Sequence, residues 1–299
     1  MARHLPVVGQ RPADRKTPIF EKIAIVGFGL IGGSLALAIR EQWASGLIIA
    51  VDRKDVLESA MRVHAADVGG DDLVMAAEAD LIILAAPVRQ NLAIVETLAD
   101  HVPGEALVTD VGGTKVATLA ASEGLPPRLR FIGGHPLAGA ATGGFEAARP
   151  DLFAGRPWLI TPRADCLPDD LDRLERFVSA LGALPHRIDA EPHDRLVAFL
   201  SHLPQLTASA LMHVVGEHAG IEGLSLAGRG LRDTTRLASS PPDIWRDIIA
   251  TNESHVRAAL DEMIEVLQAF RRDLPDSGSL EQVFDSAARW KNALEKTEN

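Results

Sequence analysis

The stretch KIAIVGFGLIGGSLALAIR, residues Lys22–Arg40, carries the strongest indication of the fold. It opens with a continuous apolar run over Lys22–Gly27, passes through the glycine-rich turn GFGLIG, and enters a helical run over Leu30–Trp43. A buried strand, a glycine-rich turn and a helix in this order form the first unit of a sheet that binds dinucleotides. The spacing of the glycines therefore predicts a phosphate-binding turn.

The predicted dinucleotide site combines this turn with the ends of the next two apolar runs. Asp52 ends the second run, 20 positions after Gly32, where a carboxylate accepts hydrogen bonds from an adenosine ribose and repels a 2′-phosphate. This favours NAD over NADP, although Arg53 and Lys54 follow immediately and soften the preference. The predicted cofactor-binding residues are Gly27, Gly29, Leu30, Ile31, Gly32, Asp52, Arg53, Ala86 and Pro87.

Short apolar runs alternate with helix-length segments as far as about Ile188. Near-continuous hydrophobicity bounded by Gly, Pro or Asp is typical of strands buried in a parallel sheet. The pattern predicts an α/β fold whose N-terminal part is a Rossmann-type, doubly wound parallel sheet. The seven predicted strands lie within 22–27, 47–52, 79–87, 106–112, 129–136, 157–162 and 185–188.

The pattern changes to helical spacing after Asp189. An apolar stripe runs from Leu196 to Val214, a second long helix is predicted from the Ser240–Asp243 cap to about Arg272, and a third follows residues 275–278. We therefore expect a flexible tail at 1–20, an NAD-binding domain at 21–189 and an all-helical substrate and dimerisation domain at 190–299. Three such helices carry more apolar surface than one small domain hides, which favours a homodimer formed through them.

Composition excludes several classes of protein. The 299 residues are 46% hydrophobic and carry a formal net charge of −11, which argues against nucleic-acid or anionic-membrane partners. No apolar run reaches the length of a membrane span, and the first eighteen residues lack the apolar core of a signal peptide, so a cytoplasmic protein is expected. The single cysteine, Cys166, excludes an intramolecular disulfide and any multi-cysteine metal cage, and no bound metal is expected.

The chain contains no tyrosine, which narrows the possible chemistry. Short-chain dehydrogenases need a catalytic tyrosine and zinc alcohol dehydrogenases need several cysteines, so both classes are excluded. His135 follows the predicted strand that begins at Leu129, and ligands of open α/β sheets bind at the carboxyl ends of strands. Histidine accepts a hydroxyl proton near neutral pH, so His135 is the predicted base. Lys115, in DVGGTK, either positions substrate or caps the next helix.

Six motifs follow one another along the chain: GFGLIGGS, LAAPV, DVGGTK, GGHPLAG, SHLPQ and GRGLRDTTRLASSPPDIWRDIIATN. The last of these is long and specific. In sequence and order they resemble the motifs of the prephenate/arogenate dehydrogenases. The resemblance covers roughly Lys22 to Asn252 and extends through the last helix.

This resemblance implies an oxidative decarboxylation in tyrosine biosynthesis. Prephenate and NAD would give 4-hydroxyphenylpyruvate, CO2 and NADH, whereas arogenate would give tyrosine. His135 matches the family histidine that accepts the proton of the ring hydroxyl. Arg236 matches the arginine that binds a substrate carboxylate, and Asp233 and Trp245 match residues that organise the same pocket.

Three positions depart from the family pattern. Gly113 stands where a serine is common, Ala141 where a glutamate is frequent, and Gln205 where many members have histidine. The family's preference for prephenate or arogenate, and its control by tyrosine, therefore cannot be transferred to this chain. Ser201 and His202 on the same predicted helix are further pocket candidates, and His193 matches a family histidine of less certain role. The predicted substrate-binding residues are Arg236, His202, Ser201, Gln205, Asp233 and Gly113.

Other functions stay open at this point. The protein is expected to be monofunctional, because the helices after Asp189 leave no room for a chorismate mutase or a C-terminal regulatory domain. A dual cyclohexadienyl dehydrogenase is compatible with the same motifs. A β-hydroxyacid or imine reductase is disfavoured, since the long helix offers His193, Ser201 and His202 but no lysine. An NAD-binding sensor without catalysis would explain the losses at Gly113, Ala141 and Gln205.

Overall fold

A computed structural model describes residues 17–140, 142–274 and 278–296 of the chain. Most of the predicted N-terminal tail, the departure at Ala141 and most of the turn at 275–278 lie outside the described residues. None of the described helices is long and apolar enough to cross a membrane.

One eight-stranded sheet forms the first part of the protein, with the strand order β3-β2-β1-β4-β5-β6-β7-β8. Its first six strands are parallel, and β3-β2-β1-β4-β5-β6 is the order of a dinucleotide-binding sheet. The strands are β1 (Lys22–Val26), β2 (Leu47–Val51), β3 (Val68–Gly70), β4 (Leu81–Leu84), β5 (Ala106–Asp110), β6 (Leu129–Pro136), β7 (Pro157–Pro162) and β8 (Leu184–Arg187).

The structure corrects the sequence-based description of the sheet in three places. Strand β8 was expected to be buried, but its residues are exposed or half-buried because it is an edge strand. Strand β3, with the sequence VGG, was missed because three residues with two glycines carry no strand signal. Strand β7 runs antiparallel to β6, with His135 opposite Leu159. The described residues of the connection between them, 137–140 and 142–156, contain a single short turn of 3₁₀ helix, Phe145–Ala147, whereas a parallel return needs a longer crossover, usually a helix.

Helices cover both faces of the sheet. Alternate residues of β1 point to opposite faces, so Ile25 packs in one core with Leu35 and Phe177, and Val26 packs in the other with Leu98. The helices of this part are α1 (Leu30–Gln42), α2 (Lys54–Arg62), α3 (Val88–His101), α4 (Val116–Ser122) and α5 (Pro168–Ala180).

From Ala190 onward the described residues contain helices and turns. A wide π-helical turn, Ala198–His202, precedes α7, where Pro204 lacks the N–H that a regular helix would use. The helices are α6 (Ala190–Val197), α7 (Leu203–Ser225), α8 (Arg229–Thr234), α9 (Pro242–Thr251), α10 (Glu253–Asp273) and α11 (Gly278–Lys296), with a 3₁₀ turn at Arg236–Ser239.

The prediction of one continuous helix from the Ser240–Asp243 cap to about Arg272 is wrong. This segment is divided into α9 and α10 at Asn252, whose backbone φ of −137° and ψ of 32° are not helical. No proline or glycine marks this break. The side chain of Asn252 is buried and hydrogen-bonded to residues of α6 and of the π-helical turn, which provides the physical reason for it.

Candidate active site

A cleft of about 850 Å³ opens at the carboxyl ends of β1, β2 and β4. Six of the nine predicted cofactor-binding residues line it: Gly27, Gly29, Asp52, Arg53, Ala86 and Pro87. The other three, Leu30, Ile31 and Gly32, form the first turn of α1 directly behind it. The structure therefore brings the predicted residues to one edge of the sheet.

The glycine-rich turn packs closely against the protein at Gly27 and Gly32 and leaves open space at Gly29. Gly27 has a φ of +95°, and a Cβ there would lie 2.5 Å from the backbone nitrogen of Ala86. A Cβ on Gly32 would lie 1.9 Å from the carbonyl oxygen of Gly27, so helix and strand contact each other through these positions. Gly29, in contrast, has nothing within 4 Å of an added Cβ. This open space at a helix N-terminus fits a dinucleotide pyrophosphate.

Asp52 joins the end of β2 to the same turn. One carboxylate oxygen accepts from the backbone N–H of Phe28 at 2.5 Å and the other from that of Arg53 at 2.6 Å. Each oxygen keeps a lone pair for a further donor. The carboxylate is thus fixed at the edge of the cleft with capacity to accept from a ribose hydroxyl, as the adenosine end of NAD requires.

We expect the Gly29→Ala variant to fold normally and to raise the KM for NAD about tenfold or more. The added methyl group meets no protein atom but occupies the space through which a pyrophosphate approaches the backbone. Gly124→Ala is the matched control, since its added methyl contacts only Ala121 at 3.8 Å, away from the cleft. Steady-state kinetics with varied NAD measures the effect, and an unchanged KM in Gly29→Ala would contradict this assignment.

His135 lies near the end of β6 as the first member of a hydrogen-bonded chain. Its Nδ1 is 2.9 Å from Nε2 of His193, and Nδ1 of His193 is 2.7 Å from a carboxylate oxygen of Asp194. His193 and Asp194 are fully buried at the start of α6. The Asp194 carboxylate also accepts from the backbone N–H groups of Lys115 and Val116, at 2.7 and 3.0 Å. These donors stabilise its negative charge without a cationic side chain.

The chain of hydrogen bonds determines which ring nitrogens carry protons. A carboxylate only accepts, so Nδ1 of His193 carries a proton and its Nε2 offers a lone pair. That lone pair accepts from Nδ1–H of His135, which leaves Nε2 of His135 unprotonated. Burial, followed by the neighbouring His193, Lys115 and His202, holds the pKa of His135 well below its usual value. His135 is therefore a neutral acceptor at neutral pH, as a general base must be.

A buried ion pair supports the residues next to this base. The ammonium of Lys115 contacts the carboxylate of Asp110, and both side chains are inaccessible to solvent. Asp110 also accepts from the backbone N–H groups of Gly112, at 2.9 Å, and Gly134, at 3.1 Å. Burial lowers the pKa of Lys115, and Asp110 opposes that shift. The side chain of Lys115 thus anchors the DVGG turn and the strand before His135. Lys115 also stands at the N-cap position of α4, as one of the two expectations had it, although its side chain makes no capping hydrogen bond. A role in positioning substrate stays a prediction.

The predicted pocket residues of the helical part surround His135 to different degrees. Ser201 and His135 together line a second cleft of about 330 Å³. Gly113 lies beside the base, since a Cβ there would be 4.0 Å from Nε2 of His135. His202 is buried, packs edge-on against Trp245 with ring centroids 6.0 Å apart, and has a pKa lowered to about 4, mainly by burial.

Gln205 makes hydrogen bonds within the protein with both ends of its amide. Its Nε2 donates to the carbonyl oxygen of Leu237 at 2.9 Å and to the hydroxyl of Ser209 at 3.2 Å, and its Oε1 accepts from Ser240 at 3.1 Å. Both donors are therefore used by the protein itself. The side chain ties the 3₁₀ turn that contains Arg236 to α7, one helical turn from His202.

Arg236 and Asp233 are both exposed in the single chain. Among residues 17–140, 142–274 and 278–296, neither forms an ion pair or a side-chain hydrogen bond. The structure places the 3₁₀ turn that contains Arg236 against α7. Arg236 therefore keeps all the donors of its guanidinium for a ligand.

Sequence reasoning assigned no role to three residues of this site: Asp110, Asp194 and Asn252. Asp110 and Asn252 belong to motifs quoted above, and Asp194 directly follows His193. Their positions in or beside those motifs could have marked them as site residues. Their functions depend on partners that are distant in sequence, and the pattern alone did not reveal those partners.

The glycine-rich turn, the acidic end of β2 and a neutral histidine at the end of β6 define a nicotinamide-dinucleotide-dependent dehydrogenase. The profile "Prephenate dehydrogenase, nucleotide-binding domain" matches residues 35–185, and "Prephenate dehydrogenase, dimerization domain" matches residues 189–285. The chain belongs to the prephenate dehydrogenase family.

Individual relatives agree with this assignment. The prephenate dehydrogenase of Bacillus subtilis (strain 168) is 33% identical over 282 residues, covering 92% of this chain and 76% of that protein. The crystal structure of prephenate dehydrogenase from A. aeolicus in complex with hydroxyphenyl propionate and NAD+ superposes with a TM-score of 0.83 at 27% identity, covering 92% and 98% of the chains. Synechocystis arogenate dehydrogenase gives a TM-score of 0.76 at 29% identity, covering 91% and 99%.

Proposed function

We propose that this protein catalyses the NAD-dependent oxidative decarboxylation of prephenate to 4-hydroxyphenylpyruvate, with His135 as the base. The chain His135–His193–Asp194 carries the proposal, because it presents one unprotonated ring nitrogen at the end of β6. Membership in the family and the NAD-shaped cleft beside Gly29 support it.

Nε2 of His135 accepts the proton of the ring hydroxyl as that C–O bond becomes a carbonyl. NAD, held in the cleft at Gly29 and Asp52, would supply the acceptor for the hydride that leaves the same ring carbon. The ring carboxylate then leaves as CO2, and its bonding electrons complete the aromatic ring and return negative charge to the oxygen. His135 gives the proton back to that oxygen, so the product is a phenol and the base is restored. The positive charge on His135 in between is stabilised through His193 by the Asp194 carboxylate.

Substrate recognition is proposed to rest on Arg236, whose guanidinium binds a substrate carboxylate bidentately. Ser201 offers a hydrogen bond from the wall of the cleft that also contains His135, and Gly113 lies beside the base. His202, the next residue, is buried behind that wall and is the second proposed hydrogen-bond donor. Asp233 lies on α8 next to the Arg236 turn, and Gln205 holds that turn in place. The Arg236 turn thus brings positive charge to an anionic substrate in an acidic protein.

We expect Arg236→Gln to raise the KM for prephenate by about tenfold to a hundredfold, because a charge-assisted hydrogen-bonded pair is lost. The kcat should change much less, since the guanidinium does not take part in proton transfer. Arg271→Gln, in the last turn of α10, removes the same charge elsewhere and serves as the control. An unchanged KM in Arg236→Gln would refute the carboxylate role.

The direct test of function is NADH formation by the purified protein with prephenate, arogenate or a 3-hydroxy acid. Turnover of prephenate is the expected result. Turnover of arogenate alone would show that arogenate, and not prephenate, is the substrate. Turnover of both would indicate a cyclohexadienyl dehydrogenase, an alternative that the residues at Gly113 and Gln205 leave open. Turnover of only the 3-hydroxy acid would indicate a reductase, and no turnover at all would favour an NAD-binding sensor.

We further propose that the protein is a cytoplasmic homodimer with a cofactor domain at 21–189 and a substrate and dimerisation domain at 190–299. The match to a dimerization domain supports pairing through the helices. Large apolar side chains on or next to these helices are exposed in the single chain: Ile221, Leu226, Phe284 and Trp290. Sedimentation as a monomer at micromolar concentration would contradict the dimer.

A further inference from the structure

Asn252 lies at the break between α9 and α10, where its buried amide contacts three other residues. Its Nδ2 donates to the main-chain carbonyl oxygen of Asp194 at 2.7 Å and lies 3.3 Å from Nδ1 of His202. Its Oδ1 lies 2.9 Å from Nδ1 of His255. The side chain is 3% exposed, and the proposed reaction assigns it no step.

The Asp194 carbonyl determines the orientation of this amide. A carbonyl oxygen only accepts, so the nitrogen of the amide must face it, and the oxygen must face His255. The second hydrogen of that nitrogen then points to Nδ1 of His202. His255 is itself held on its other side, where its Nε2 lies 3.1 Å from a carboxylate oxygen of Glu191.

The state of His202 follows from this geometry. A ring nitrogen that accepts from an amide carries no proton, so the single proton of neutral His202 resides on Nε2. The nearby Trp245 ring packs edge-on against His202 and restricts its rotation. His202 is thereby fixed as a hydrogen-bond donor through Nε2, whereas His135 is fixed as an acceptor through Nε2.

The same amide also links the two histidine groups. Asp194 ends the hydrogen-bonded chain that begins at His135, and Asn252 binds the main chain of that residue. One side chain therefore sets the position of His202 relative to the base. No other described hydrogen bond joins His202 to the His135–His193–Asp194 chain.

We propose that Asn252 is a positioning residue that holds His202 in its Nε2–H form, so that His202 donates to a carboxylate or keto oxygen of the substrate. The inference rests on the proposed function for the identity of that substrate. Asn252 does not itself contact the substrate and acts through His202.

The first experiment needs neither substrate nor a variant of Asn252. NMR of protein labelled with ¹⁵N-histidine, with the His202 signals assigned by comparison with His202→Asn, reports which ring nitrogen carries the proton. We expect a proton on Nε2 in the unmodified protein. A proton on Nδ1 would overturn the proposal, whether or not prephenate proves to be the substrate.

The second experiment uses Asn252→Asp, which keeps the shape of the side chain but replaces the donor with an acceptor. It should move the His202 proton to Nδ1 and lower kcat/KM for prephenate about tenfold or more, with NAD affinity unchanged. Ser254→Ala, an exposed change in the first turn of α10, is the control and should behave as the unmodified protein.

A double-variant cycle separates positioning from a merely structural role. If Asn252 acts through His202, then Asn252→Asp should add little to the loss already caused by His202→Asn. Full additivity of the two losses would overturn the proposal. An unchanged His202 proton in Asn252→Asp would do the same.

Discussion

Replacing His135 with asparagine is expected to lower kcat by about 10²- to 10⁴-fold, the range typical for loss of a general base. The asparagine amide still fits beside His193 but cannot take a proton. Affinity for NAD should stay nearly unchanged, because the cofactor cleft is lined by residues at and just after the ends of β1, β2 and β4 and by the loop at Gly144, and His135 is not among them. Stopped-flow or steady-state NADH formation, together with NAD titration, measures both quantities.

The pH profile gives this prediction a second readout. The unprotonated form of His135 is the active one, and the pKa of His135 is held well below 6.5 by burial and neighbouring rings. The kcat of the unmodified protein should therefore stay level as pH falls from neutral, and it should decline only well below pH 6.5.

His186→Asn, an exposed change on β8 of the same sheet, is the matched control and should keep normal turnover. A His135→Asn protein with near-normal kcat would remove His135 from the mechanism. Loss of NAD affinity together with kcat would instead point to a structural defect.

Replacing Lys115 with methionine should destabilise the protein by about 3–5 kcal/mol, the usual cost of removing one partner of a buried ion pair. Methionine fills much of the same volume but leaves the Asp110 carboxylate uncompensated in a site without solvent access. The backbone N–H groups of Gly112 and Gly134 still donate to this carboxylate, which reduces the loss in free energy of unfolding but leaves the charge in place. Urea unfolding followed by circular dichroism measures the change.

Two further variants define the origin of that loss. The double variant Lys115→Met with Asp110→Asn removes both charges and should be less destabilised than Lys115→Met alone. Lys22→Met breaks an ion pair with Glu78 that is exposed to solvent, and should leave the unfolding midpoint nearly unchanged. A Lys115→Met protein that unfolds at the normal midpoint would contradict the anchoring role.

Most of the sheet was predictable from sequence, and the reasons are local. Seven strands were found because each is a short apolar run bounded by residues that favour turns, and the structure contains all seven. Strand β3 was too short and too rich in glycine to be recognised, and the antiparallel direction of β7 depends on the path of the chain after β6. The helix break at Asn252 escaped notice because asparagine also occurs within helices.

In the candidate site, too, the locally determined features were predictable and those that depend on distant partners were not. The cofactor turn was predictable because backbone sterics at Gly27 and Gly32 act over a few residues. Gln205 was expected to contact substrate, a role that stays a prediction, but its hydrogen bonds to Leu237 and Ser240 were not foreseen. Those partners lie more than one element away in sequence.

By itself, the sequence determined the class of sheet, the turn that receives the dinucleotide and the histidine at the end of β6. Each depends on hydrophobic periodicity or on glycine sterics within a short segment. The protonation pattern of the site, in contrast, depends on contacts that form only in the folded chain. His135 meets His193 across 58 residues, and His202 meets Asn252 across 50. A hydrogen bond determines a tautomer only when both partners are in place, and folding alone brings such distant residues together.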